Sequence, residues 1–302
     1  MTARLATPWT LRMISTRYPS YGSALVSYNY YTRATGKGIN VYLLDTGVIP
    51  GTQFASKIIK GPIFTNSSVA GSHGTTIASM LLDPWAGVCP ECMVVDVKVM
   101  EWDGSGDVPT IIRGLEWVYY NAVIGKSVVN LSLTTRRSDA LDMAVHTVFQ
   151  RGIPLFAAAG NYGDDSCLYS PAASPGAYSI GSASHRYGVM DYSNTGKCVN
   201  AFAPGNNVPA AWGSSQWNMV DGSSGAVAFA TAVAAMMLSD PELTDKSPTA
   251  IYTRMTNSAT RYQLHMRASL EGTPNMLLHA LYMSDGRGPW HPTPENTPDG
   301  VY

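Results

Sequence analysis

Residues 127–160 read SVVNLSLTTRRSDALDMAVHTVFQRGIPLFAAAG. The two ends, SVVNLSL and PLFAAAG, are near-continuous apolar runs of strand length, and SDALDMAVHTVFQRG between them has a helical period. Strands without polar alternation are buried on both faces, and a helix joining two of them crosses over to a parallel neighbour, right-handed in its connection. Upstream the pattern repeats. INVYLL is a strand ending at Asp45, TTIASMLL starts a helix just after His73, and VVDVKV is the next strand. VPTIIRGLEWVYYNAV then puts Ile111, Leu115, Val118 and Ala122 on one helical face. Downstream, the apolar run Gly225–Leu238 is shorter than the roughly 18 residues a membrane span needs, and Ser239-Asp240-Pro241 stops it, so it is a buried helix. The sequence therefore predicts a three-layer, doubly wound α/β fold with a mostly parallel sheet. Residues 1–285 form one domain, and residues 286–302, GRGPWHPTPENTPDGVY, form a Pro-rich surface tail.

Composition narrows the function. Charged residues make up 14% of the 302, and the formal net charge is −1 with no basic cluster, so neither nucleic acid nor an anionic membrane is an expected partner. The first thirty residues hold no apolar block of the secretory type. The four cysteines, Cys89, Cys92, Cys167 and Cys198, permit two disulfides. Cys89-Pro-Glu-Cys92 is compatible with a redox pair, half a zinc site, or two small buried residues, with zinc ranked last for want of a second C-x-x-C or paired histidines.

In a doubly wound sheet the ligand crevice lies outside the carboxyl ends of the strands. Four features there carry chemistry. Asp45 closes an apolar strand, a costly place for a carboxylate without a partner. His73 stands among small residues in GSHGTTIASML, Asn161 follows FAAAG, and Ser223-Ser224 open the apolar helix in DGSSGAVA. Each has a plain structural reading: a cap, a buried histidine, a turn former, a helix N-cap. In the order Asp, His, Asn, Ser, each within two residues of a glycine at a predicted crevice edge, they are hard to read as four coincidences.

With VYLLDTGV, SHGTTIASML, VKVMEWDGSG, VVNLSL, AAAGN, YSPAASPGAYSIGSAS, YSNTGKCVNAFAPG and DGSSGAVA in that order, the chain resembles the subtilases, and among them the proteinase K branch, from Pro8-Trp9 to about Leu281. The resemblance implies a serine endopeptidase: Ser224 as nucleophile, His73 as general base, Asp45 as the carboxylate that orients it, and Asn161 with the Ser224 N–H as oxyanion donors. It implies a peptide held as an extended strand between Trp102-Asp103-Gly104 and Ser132-Leu133-Thr134, with a first pocket walled by Ser132 to Thr134 and by Ala158, Ala159 and Gly160. It further implies a Cys167–Cys198 disulfide, a calcium site on the carbonyls of Pro175 and Ala177 and the side chain of Asn200, no obligatory cofactor, a monomer, and an extracellular location, or an intracellular one if Met1 is the native start.

Four departures from the family pattern modify those expectations. Gly225-Ala226-Val227-Ala228 stands for Met-Ala-Thr-Pro, which loosens the backbone behind the serine. Thr134 stands for a cleft glycine and should narrow specificity. Thr76 stands for a histidine outside the triad. Asn200 stands for an aspartate, which leaves at most a weak structural calcium site. Two rival functions remain at this stage: a specialised serine hydrolase or acyltransferase acting on one ester, amide or short peptide, and a non-catalytic peptide-binding pseudoenzyme.

Overall fold

A computed structural model of the chain describes residues 2–16, 28–32, 34–266 and 272–280; the tail 286–302 lies outside the described residues. Seven parallel strands make the centre of a nine-stranded sheet: β1 (Asn40–Asp45), β2 (Ile58–Ile63), β3 (Met93–Lys98), β4 (Ser127–Leu131), β5 (Leu155–Ala158), β6 (Ala177–Ala183) and β7 (Ala201–Pro204). Their spatial order is β2-β3-β1-β4-β5-β6-β7, and beyond β7 the short strands Met276–Leu277 and Thr260–Arg261 close the edge, the last antiparallel. From β1 the chain runs to the edge strand β2, comes back to β3 beside β1, and then crosses to β4 on the other side of β1. That reversal puts the topological switch point at the end of β1, where Asp45 sits.

Alternate residues of β1 serve two cores. Val41 and Leu43 join the apolar cluster under helices α1 (Ser72–Leu82) and α4 (Ser223–Ser239). Tyr42 and Leu44 join the cluster under α2 (Val108–Asn121) and α3 (Asp139–Gln150). Helices on both faces explain why the central strands are apolar without alternation. The result is the expected three-layer α/β fold. Helix α4 is buried from Gly225 through Leu238 and runs through the first core, packing on α1 and on β4, β5 and β6. No helix among the described residues is long and apolar enough to cross a membrane.

One local difference from the sequence expectations has a physical cause. Helix α1 begins at Ser72 because Gly71 takes the extended N-cap position, so His73 lies inside the first turn. Before the central sheet, Thr2–Thr7 and Tyr28–Thr32 pair antiparallel as a separate two-stranded sheet. Cys167 and Cys198 are joined in a disulfide, while Cys89 and Cys92 are free and buried.

Candidate active site

A cleft of about 820 Å³ opens at the carboxyl end of the sheet. His73, Trp102, Asp103, Gly104, Ser132, Leu133, Thr134, Asn161 and Ser224 all line it. Asp45 stands just beneath, fully buried.

Asp45 and His73 form a built pair. Oδ1 of Asp45 accepts the Thr46 N–H at 2.7 Å, and its two oxygens lie 2.8 and 3.0 Å from His73 Nδ1. Nδ1 is thereby the protonated nitrogen, and Nε2 is left as the acceptor. Helix α1 can come this close because Gly74 has no side chain: a β-carbon there would collide with the Gly47 carbonyl and stand 3.2 Å from Asp45 Oδ1. Burial pulls the His73 pKa down, but the charge of Asp45 and its hydrogen bond outweigh that, so the imidazole titrates above its ordinary value. Its side chain is still 38% exposed, which keeps Nε2 open to the cleft.

Lys98 braces the floor. Its ammonium is almost wholly buried and donates to the carbonyls of Thr46 at 2.9 Å and Met100 at 2.6 Å, tying the segment after β1 to the segment after β3. Burial lowers its pKa.

The two serines at the mouth of α4 divide their roles. Ser223 is fully buried, and its Oγ accepts the Gly160 N–H at 3.2 Å. Ser224 is half-buried in the cleft, its hydroxyl donating to the Ser132 carbonyl at 3.3 Å. A buried polar chain holds this bank in place: Thr231 Oγ1 donates to Asn130 Oδ1, Asn130 Nδ2 to Ser132 Oγ, and Ser132 Oγ to the Ser224 carbonyl, at 2.9, 2.8 and 3.0 Å.

Asn161 faces the same helix end. Its Oδ1 accepts the Ser223 N–H at 2.8 Å, which orients the amide and leaves Nδ2 without a partner among the described residues. The Gly225 N–H goes to the Gly222 carbonyl at 3.2 Å. The Ser224 N–H between them has no acceptor among the described residues, as befits the first turn of a helix. Two unspent donors beside one hydroxyl suit a developing negative charge.

The slack expected at Gly225 is taken up from elsewhere. Met80 of α1 lies against it, with Cε and Sδ 3.2 and 3.3 Å from where a β-carbon on Gly225 would stand. Thr76 is buried and donates to the Ala211 carbonyl at 3.0 Å, fastening α1 to the strand Val208–Ala211. Trp212, next in sequence, lines the cleft, as does Tyr162 after Asn161. Neither stands out in the sequence, since an aromatic residue in a loop carries no period, though the position of Tyr162 beside Asn161 was a usable signal.

Not every expected site residue reaches the surface of the cleft. Ala158, Ala159 and Gly160 are buried and do not line the cleft. At the expected calcium position Asn200 brings a neutral amide whose Oδ1 already accepts the Ser179 N–H at 2.7 Å. With the carbonyls of Pro175 and Ala177 the set contains no carboxylate, a poor fit for a hard dication. No cluster of three or more His, Cys, Asp or Glu side chains among the described residues could hold a metal ion.

The model of the subtilase family matches residues 36–274, most of the chain and the whole of this site. The chain belongs to the subtilase family. As a subtilase it is 32% identical over 278 residues to the alkaline serine exoprotease A of Vibrio alginolyticus, a match covering 90% of this chain and 51% of the relative. It is also 32% identical over 285 residues to a cuticle-degrading serine protease of Arthrobotrys oligospora, covering 91% of this chain and 68% of the relative. The chain thus spans about half to two thirds of the length of these curated relatives. A solved structure of a cold-adapted subtilisin-like serine proteinase superposes with a TM-score of 0.83 at 31% identity, covering 91% of this subtilase and 99% of that chain.

Proposed function

We propose that this subtilase is a serine endopeptidase that cleaves extended polypeptides through an acyl-enzyme on Ser224. The observation that carries the reading is the convergence in one cleft of the Asp45–His73 pair, the Ser224 hydroxyl, and two unspent donors, Asn161 Nδ2 and the Ser224 N–H. The Ser224 hydroxyl turns from the Ser132 carbonyl to His73 Nε2, gives up its proton there, and attacks the substrate carbonyl. Asp45 holds the ring and stabilises the imidazolium. The two donors take the oxyanion, and His73 returns the proton to the departing amine. Water then repeats the sequence on the ester, releasing the carboxylic acid and restoring Ser224. The substrate strand lies between Trp102–Gly104 and Ser132–Thr134, held by main-chain bonds.

A fluorophosphonate label located by mass spectrometry, beside a casein digest, tests this. Labelling at Ser224 with digestion supports it; labelling without digestion points to a specialised hydrolase, and no labelling points to a binding protein. Asn161→Ala should lower kcat by about 10²–10³ with little change in KM, a size carried over from subtilisin. The same loss wholly in KM would make Asn161 a substrate-binding residue instead. The Cys167–Cys198 disulfide supports a working place outside the reducing cytoplasm. The calcium position is weak or idle in this reading: millimolar calcium against EDTA should move Tm by less than about 2 °C. A larger rise that Asn200→Ala abolishes would reverse that.

A further inference from the structure

The acyl side of the cleft carries an inference that rests on the peptidase reading and goes further, to which residue can be cut after. The residue whose carbonyl is attacked has its carbon at Ser224 Oγ and its oxygen between the Ser224 N–H and Asn161. Its side chain then points into the gap between two strand ends, the segment after β4 that holds Ser132 and the segment after β5 that holds Asn161. β4 and β5 are hydrogen-bonded neighbours, so this gap is narrow to begin with.

Thr134 fills it. A β-carbon on Gly160 would stand only 3.3 Å from Thr134 Cγ2, so the methyl lies against the bare backbone of the opposite wall. An aliphatic or aromatic side chain inserted between the walls needs a carbon contact of about 3.5–4.0 Å on each side, or about 7 Å in all. That space is absent. Consistently, the cleft is lined on one bank by Ser132 to Thr135 and on the other by Asn161 and Tyr162, while Ala158, Ala159 and Gly160 are covered.

Neither wall can retreat cheaply. Behind Gly160 the fully buried Asn194 donates Nδ2 to the Ala159 carbonyl at 3.0 Å. Its Oδ1 accepts the N–H groups of Tyr162 and Asp164 at 2.9 and 3.1 Å, and its own N–H goes to the Gly160 carbonyl at 2.9 Å. On the other side, Ser132 is tied to Ser224, and Thr135 pairs with Ser170. Thr134, held at both flanks and stiff at χ1, cannot swing aside freely.

We infer that Thr134 closes the acyl-side pocket, and that this enzyme cuts after residues whose side chain is no larger than a methyl group, glycine or alanine. The test uses peptide anilides that differ only in the acyl residue: glycine, alanine, leucine or phenylalanine. The readout is the ratio of kcat/KM for alanine to that for phenylalanine within each enzyme, which cancels any difference in the folded fraction. Forcing a large side chain into a packed site should make that ratio about 10–100 in the unaltered enzyme. Thr134→Ser, which removes only the methyl, should lower it, and Thr134→Gly should bring it to about one or below. Equal or faster cleavage after phenylalanine by the unaltered enzyme would overturn the inference, as would a ratio that Thr134→Gly leaves unchanged. Those failures are distinct from failure of the peptidase reading, which would show as no hydrolysis of any anilide or no label on Ser224, and which would remove this inference with it.

Discussion

Ser224→Ala is expected to abolish covalent labelling by a fluorophosphonate and to lower kcat by about 10⁶, while Ser223→Ala keeps the label. The size of the loss is carried over from subtilisin, where nucleophile and base act as a unit, so that removing either forfeits the contribution of both. The asymmetry between the two serines comes from this structure. Ser224 faces the cleft at the second position of α4, with its own N–H unspent, whereas Ser223 is fully buried and its hydroxyl is taken by the Gly160 N–H. Ser223→Ala leaves that buried N–H unpaired, at a cost of about 1–3 kcal/mol in stability. The protein should therefore melt earlier but still react. Loss of the label in Ser223→Ala with retention in Ser224→Ala would mean that the neighbouring hydroxyl does the chemistry.

Asp45→Asn should lower kcat by about 10⁴ and, more tellingly, move the acid limb of the pH profile. His73 must be neutral to accept the serine proton, so kcat/KM falls as pH drops through the imidazole pKa. Burial alone would set that pKa low; the charge of Asp45 and its hydrogen bond raise it above the ordinary value of about 6.5. The acid limb of the unaltered enzyme should thus lie above about 6.5. An amide at position 45 removes both raising influences and leaves burial, so the limb should shift to lower pH. Measuring kcat/KM from acid to neutral pH in both enzymes decides it. A limb that stays in place would mean that some group other than His73 titrates.

The parallel core was legible because strands covered on both faces need no polar residue: SVVNLSL and PLFAAAG announce themselves. The edge strand Ile58–Ile63 does not, since IIKGPI is only partly buried and carries Lys60, Gly61 and Pro62. AYSIGSA and AFAP in β6 and β7 are too small-sided to show a period, although both are buried. The order of strands depends on pairing between distant segments, which local pattern does not encode. In the site, Asp45, His73, Asn161 and Ser224 could be singled out because each stands within two residues of a glycine near an element end. What decides the pocket could not, because it is the distance between a methyl on one strand end and a bare backbone on the next. Sequence shows that Thr134 is not glycine; only the fold shows what it touches.

Met80 and Gly225 have a consequence for anyone moving residues between this enzyme and its relatives. The volume behind the serine is a single slot shared by two helices, filled here from α1 because α4 leaves it empty. The family's methionine placed at position 225 would compete with Met80 for one space, and a small residue at position 80 would leave that space vacant. A transplanted α4 therefore works only if α1 travels with it. The two residues form one heritable unit, split across some 145 positions of chain.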